Sequence, residues 1–168
     1  AGERVLEIGA GSGYAAAVLS RLAREVFTVE RHAPLAWEAR QRMIRLGYSN
    51  VHVTQGDGTL GWPEHAPYDA IVVAAGGPEV PTALLDQLTV GGRLVIPIGP
   101  DPRTQSLVRV RRRPDGGFQP LQSFGNGPLP VGEHGLEQLV LLAVVVAHQG
   151  QRHAGFLGDL AQADGVVA

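Results

Sequence analysis

The sequence predicts an α/β fold, a doubly wound and mostly parallel sheet with helices on both faces. Three observations carry that expectation. Short apolar runs alternate with helical stretches from Val5 to Ile98. Several of those runs are apolar throughout, Ala70 to Ala74 among them, as strands buried on both faces must be. The first run ends in glycines that open a helix, and in such sheets ligands bind outside the carboxyl ends of the strands.

Each element follows from its residues. Val5-Leu6-Glu7-Ile8 is a short strand, and its glycine loop predicts a central place for Arg4–Ile8. Tyr14 to Leu22 is rich in Ala and Leu and reads as a helix. Val26-Phe27-Thr28-Val29 is a second strand. Leu35, Ala36, Ala39, Met43 and Leu46 recur at helical spacing, and Gly47 stops that helix. Val51-His52-Val53 is a third strand and Ala70 to Ala74 a fourth. Pro81 suits a helix start, with Thr82 to Leu88 continuing it. Gly91-Gly92 then reads as a turn into a fifth strand, Arg93 to Ile98. Ser106 to Arg111 alternates like a strand, and Asp115-Gly116 marks a hairpin turn. Gln122 to Leu136 is rich in Gly and Pro. Leu136 to His148 suits either a buried helix or a strand, and the tail is expected to fray.

Composition narrows the function classes. A hydrophobic content of 44% over 168 residues suits one globular core. The net charge of -2 argues against nucleic acid as a partner. All 14 basic residues are Arg, which reads as base-composition bias. There is no Cys, so no disulfide framework, thiolate nucleophile or Cys-based zinc site is expected. The six His residues show no close ligand pair, so no metal is expected either. Leu139 to Ala147 is far shorter than the roughly 20 residues of a membrane helix, and Ala1-Gly2-Glu3-Arg4 carries no signal pattern. A cytoplasmic monomer with no membrane contact is the expectation.

The chemistry concentrates in Glu7-Ile8-Gly9-Ala10-Gly11-Ser12-Gly13-Tyr14. Gly9, Gly11 and Gly13 permit a tight turn and a close ligand approach, and the helix start offers free N–H groups. A dinucleotide fingerprint would space its third glycine one residue later. The early glycine and the acidic Glu7 suit a ligand with a cationic amino-acid tail and no pyrophosphate. Read alone, the loop is also compatible with a plain strand-to-helix turn. Glu30 closes the second strand about 20 residues on, where a carboxylate can accept from both ribose hydroxyls. Its plainer reading is a surface ion pair with Arg31. Asp57, beside Gly58, can take an adenine amino group or simply shape an Asp-Gly turn. Ser12 lacks triad spacing and suits a sugar- or phosphate-facing contact. Trp62 suits a loop anchor, and Arg111-Arg112-Arg113 a solvated strand end. Glu7, Glu30 and Asp57 sit at the carboxyl ends of adjacent predicted strands, which coincidence explains poorly.

The run Val5 to Tyr14, with Ala16-Ala17-Val18-Leu19, resembles the first motif of protein-L-isoaspartate O-methyltransferases. The similarity continues through Val29-Glu30-Arg31, Leu46-Gly47-Tyr48-Ser49-Asn50-Val51 and Gly56-Asp57-Gly58-Thr59-Leu60-Gly61-Trp62-Pro63. Ala66-Pro67-Tyr68-Asp69-Ala70-Ile71, Leu85-Asp86-Gln87-Leu88 and Gly91 to Gly99 complete it. The resemblance covers roughly residues 1–113, the expected cofactor-binding core, with 114–168 as the remainder and a divergent tail. It implies a Rossmann-like class I methyltransferase with seven strands. It also implies S-adenosyl-L-methionine as cofactor, held by Glu7, Gly9, Gly11, Ser12, Gly13, Glu30, Arg31, Asp57 and Gly58. The implied partners are isoaspartyl-containing proteins or peptides, methylated for repair.

Two departures from the family qualify this. A family segment with a hydroxyl-bearing residue near the substrate carboxylate precedes the glycine loop, so the catalytic group is expected upstream of Ala1. Phe124-Gly125-Asn126-Gly127-Pro128-Leu129 keeps the family's Pro-Leu pair but loses its apolar approach. The alternatives are a peptide-modifying aspartate methyltransferase, a non-catalytic cofactor-binding fragment, and a nicotinamide oxidoreductase disfavoured by the early third glycine and by Asp57.

Overall fold

The computed structural model describes residues 2–100, 104–119 and 122–123. They build one seven-stranded sheet. The elements in chain order are β1 (Arg4–Ile8), α1 (Tyr14–Ser20), β2 (Glu25–Glu30), α2 (Ala33–Arg45), β3 (Val51–Gln55), β4 (Tyr68–Val73), α3 (Thr82–Asp86), β5 (Leu88–Ile98), β6 (Ser106–Arg111) and β7 (Gln122–Ser123). The spatial order is β3-β2-β1-β4-β5-β6-β7. Strands β1 to β5 pair in parallel, while β6 and β7 each join antiparallel. Strand order reverses between β1 and β4, the switch point at which such sheets open a crevice. The expected doubly wound sheet and the central β1 are both present.

Side chains alternate across β1 and divide the core in two. Val5 packs on one face with Ala16 and Leu19 of α1 and with Val26, Val72 and Val95. Leu6 packs on the other with Phe27, Tyr68, Ile71 and Leu94, and with Leu84 from α3. Val5 and Leu6 are both fully buried. Truncating either to Ala should cost on the order of 2–5 kcal/mol, the usual range for a buried aliphatic chain. That double-faced core holds the strand ends, and hence the glycine loop, in place.

Several boundaries differ from the sequence reading. The helix expected from Leu35 starts at Ala33 and takes Pro34 into its first turn, where a missing N–H costs nothing. The helix expected to reach Leu88 ends at Asp86, because Leu88 is fully buried in the sheet. Gly91-Gly92 does not separate that helix from β5. Gly91 has φ +80 and the β4–β5 register slips between Tyr68 and Ala70, so the pair forms an irregularity inside an 11-residue strand. The hairpin turn at Asp115-Gly116 is present, with Arg113 N donating to Gly117 O at 2.7 Å. The expectations for residues 124–168, including Leu136 to His148 and the Pro128-Leu129 pair, lie outside the described residues.

Candidate cofactor-binding site

The loop between β1 and α1 is shaped by glycines in the left-handed region, and two of them do different work. Gly11 has φ +51, and a Cβ there would meet nothing within 4 Å, so this stretch of backbone faces open space. Gly13 has φ +82, and a Cβ there would lie 2.9 Å from Met43 Cε and 3.5 Å from Ala39 Cβ. Gly13 therefore lets the start of α1 pack on α2, while Gly11 leaves the backbone bare.

Glu30 ties this loop to the end of β2. Its Oε2 accepts from Gly11 N at 2.9 Å and its Oε1 from His32 N at 2.9 Å. The side chain is 6% exposed. The carboxylate thus joins the glycine loop to the entrance of α2, and lone pairs remain for two further donors. Its partners are these backbone amides, which displaces the plainer reading of a surface pair with Arg31. Arg42 of α2 clasps the loop from outside, donating through Nη1 to the Ser12 carbonyl. Ser12 Oγ accepts from Tyr14 N at 3.4 Å, at the first turn of α1. Arg31 is exposed, and its carbonyl accepts from Gln55 Nε2 at 3.3 Å.

Glu7 lies beneath the loop, paired in register with Thr28, and is 1% exposed. Neither of its oxygens, nor the Thr28 hydroxyl, makes a hydrogen bond of full geometry among the described residues. Burial pushes its carboxyl up to about 8; Thr28 opposes the rise and Glu30 adds to it. Glu7 is therefore a mostly neutral buried acid at pH 7, not a carboxylate displayed to solvent.

Asp57 follows β3 and is exposed. Its Oδ1 accepts from Thr59 N at 2.9 Å and Thr59 Oγ1 at 2.8 Å, and these bonds hold its carboxyl below the usual range. Both readings of this residue therefore meet in one place: it shapes a turn, and its remaining lone pairs stay available. Gly58 presses against β1, since a Cβ there would lie 2.3 Å from Ile8 Cγ2. A cavity of about 310 Å³ opens alongside, lined by Ile8, Gly58, Thr59, Val73, Pro81 and Leu84 among others. Glu7, Glu30 and the glycines cluster at the carboxyl ends of β1 and β2, and Asp57 and Gly58 close the adjacent side.

The sequence reading missed the supports of the Asp57 segment. Tyr68 Oη donates to Trp62 O at 2.6 Å, and Arg4 Nη1 donates to His65 O at 2.9 Å. Trp62 packs edge-on to Phe27 at 5.7 Å between ring centroids, an anchor for the loop. Gln87 also reaches the segment. Its apolar neighbours Leu85 and Leu88 gave the only hint that it is buried. Among the described residues, no group of three His, Asp or Glu could hold a metal ion, and no helix is long and apolar enough to cross a membrane.

Residues 1–124 match the family model described as Protein-L-isoaspartate(D-aspartate) O-methyltransferase. The chain is 68% identical over 112 residues to Protein-L-isoaspartate O-methyltransferase 1 of Geotalea uraniireducens, covering 67% of this chain and 51% of that protein. It is 60% identical over 134 residues to Protein-L-isoaspartate O-methyltransferase 2 of Pelobacter propionicus, covering 79% of this chain and 60% of that protein. A solved protein-L-isoaspartate O-methyltransferase superposes with a TM-score of 0.63 at 36% identity, over 77% of this chain and 43% of that one. A Plasmodium falciparum structure of that description, in complex with S-adenosyl-L-homocysteine, shares the fold with a TM-score of 0.58 at 24% identity, over 76% of this chain and 64% of that one. The chain spans 51% and 60% of the lengths of the two curated relatives.

Proposed function

The chain belongs to the protein-L-isoaspartate(D-aspartate) O-methyltransferase family, and on that premise we propose that it binds S-adenosyl-L-methionine and serves isoaspartyl methylation. The observation that carries this reading is the Glu30 carboxylate holding Gly11 N at 2.9 Å, beside a loop whose Gly11 faces open space. An acid at the end of the second strand and a bare backbone at the end of the first suit a ribose and an amino-acid tail. Glu30 takes the ribose hydroxyls, with Arg31 alongside. Gly9, Gly11, Ser12 and Gly13 admit the tail. Asp57 accepts from the adenine amino group, and Gly58 brings its segment against Ile8. The buried Glu7 lacks full hydrogen bonds, and a cationic end of the ligand above it would favour its ionised form over the neutral acid.

Bound there, the cofactor supplies a methyl on a sulfonium, whose departure leaves a neutral thioether. The acceptor is the free α-carboxylate of an L-isoaspartyl residue. A carboxyl of ordinary pKa near 4 is already ionised at neutral pH, so the transfer needs no general base. The protein's task is then to position the groups and exclude water, and effective molarities of 10⁵–10⁸ M show how much positioning can supply. A backbone amide nitrogen then attacks the methyl ester and expels methanol, closing a succinimide without enzyme help, and hydrolysis returns some normal aspartate.

Residues 1–113 form the cofactor-binding core in this reading. The partner is an isoaspartyl protein or peptide, the setting cytoplasmic, and the chain monomeric. The net charge of -2 supports a peptide over a nucleic acid as partner. A second reading is favoured by the coverage of 51% and 60%: these 168 residues bind cofactor yet transfer methyl poorly, the acceptor pocket needing more of the protein. The test is methyl transfer from labelled cofactor to a synthetic isoaspartyl peptide, with the aspartyl peptide as control. Isoaspartate-selective turnover supports the first reading. Cofactor binding without turnover supports the second, and turnover of both peptides alike contradicts the assigned substrate.

A further inference from the structure

The segment after β3 carries two of the proposed cofactor contacts, yet it holds no regular structure longer than a turn. Gly58–Leu60 and Pro63–His65 are each a single 3-10 turn. Tyr68 and Arg4 hold its far end, at Trp62 and His65. Gln87, which follows α3 and is 7% exposed, holds the stretch from Leu60 to Trp62. The Gln87 Oε1 accepts from Trp62 N at 2.9 Å. Its Nε2 donates to Leu60 O at 2.8 Å and to Ala83 O at 2.9 Å. Both amide hydrogens and the oxygen are committed at once.

The fit around this amide is close. Gly61 lies between the two bonded loop residues at φ +66, and a Cβ there would stand 2.4 Å from Gln87 Oε1. Gly58 and Thr59 of this segment and Pro81 and Leu84 at α3 all line the cavity. Gln87 joins that segment to that helix. Asp57 is locked to Thr59 by two bonds, so the turn moves as a unit and its place follows that of Leu60 and Gly61.

We propose that Gln87 is a positioning residue for cofactor binding, fixing the Asp57–Trp62 segment to α3 so that Asp57 stands at a set distance from the glycine loop. This rests on the cofactor site proposed above. Gln87 touches no ligand itself; it acts through Asp57 and through the spacing of the cavity walls.

Three variants test it in the full 168-residue chain. Gln87→Leu removes all three bonds and should weaken S-adenosylhomocysteine binding about tenfold or more, the scale of one to two net hydrogen bonds. Gly61→Ala leaves Gln87 intact but drives a methyl into its amide, and should reproduce that loss without touching the core. Gln87→Glu keeps an acceptor for Trp62 N but sets a buried carboxylate oxygen against the Leu60 and Ala83 carbonyls, so its loss should be at least that of Gln87→Leu. In a double-mutant cycle, Gln87→Leu with Asp57→Ala should lose less than the two single losses combined, whereas plain destabilisation would give additive losses. Hydrogen exchange of the Trp62 amide, measured without ligand, should speed up in Gln87→Leu. Unchanged affinity in folded Gln87→Leu and Gly61→Ala, or an additive cycle, overturns the proposal. If the unaltered chain binds no S-adenosylhomocysteine, the cofactor reading falls and takes the binding role with it. The Trp62 exchange rate then still shows whether Gln87 holds the loop.

Discussion

The two loops that meet at the strand ends are held by different parts of the fold. The glycine loop is fixed from β2 and α2: Gly11 N donates to Glu30 at the end of the neighbouring strand, Arg42 holds the Ser12 carbonyl, and Gly13 packs on α2. The Asp57 segment is fixed from β1, β4 and the end of α3, by Arg4, Tyr68 and Gln87. At Gly11 the first loop faces open space, and it depends on that position remaining small. The second has its backbone hydrogen-bonded by side chains and depends on those side chains remaining. The sharpest damage to the first should therefore come from atoms added at Gly11, and to the second from atoms removed at Gln87.

The largest effect is expected at Gly11. Gly11→Val places a branched chain at φ +51 in the space left open for a ligand, and should abolish S-adenosylhomocysteine binding while the far-ultraviolet circular dichroism stays native. Normal binding by that variant would mean that the ligand does not lie over this loop.

Glu7 comes next, through pH. Burial holds its proton up to about pH 8, against an ordinary value of 4.5. Between those values the folded chain keeps a proton that the unfolded chain has released, so stability falls as pH rises from about 5 to 8. Glu7→Gln removes the ionisation, and its stability relative to the parent should grow across that window by an amount on the order of a few kcal/mol. Urea melts at pH 5 and pH 8 measure this, and parallel behaviour of the two chains would show that Glu7 ionises normally.

Glu30→Ala should weaken cofactor binding by roughly 1.5–3 kcal/mol, the range for hydrogen bonds to a charged group. It should also free the Gly11 amide to exchange faster. Unchanged affinity by calorimetry would remove Glu30 from the site. The smallest effect is expected at Tyr68→Phe, which loses the 2.6 Å bond to Trp62 O. A cost of about 1 kcal/mol in stability is expected, with affinity changed only a few-fold, because Gln87 still holds Leu60 O and Trp62 N. A loss of affinity as large as that of Gln87→Leu would show that the two ends are not independent.

The same contrast decides what could be read from the sequence. The glycine loop and Glu30 were legible because their pattern is short, local and tied to strand ends. β1 was placed correctly in the centre for the same reason. Asp57 was legible only as a choice between turn former and ligand acceptor, and its two bonds to Thr59 show that the turn role is real. Gln87 was not legible, since its loop partners are backbone atoms 25 and 27 residues away, and backbone atoms leave no mark on composition. Gly91-Gly92 misled because a glycine pair serves a turn and a strand irregularity equally well, and burial of Leu88 decides between them. Glu7 was legible as an acid near the loop, but its raised pKa follows from tertiary burial that no local pattern encodes.

The measurement that tests the central claim most directly is a calorimetric titration of the unaltered chain with S-adenosylhomocysteine and, separately, with NAD. Saturable one-to-one binding of S-adenosylhomocysteine, with no heat from NAD, is the predicted result. Binding of NAD instead, or of neither ligand by a chain that is folded, would contradict it.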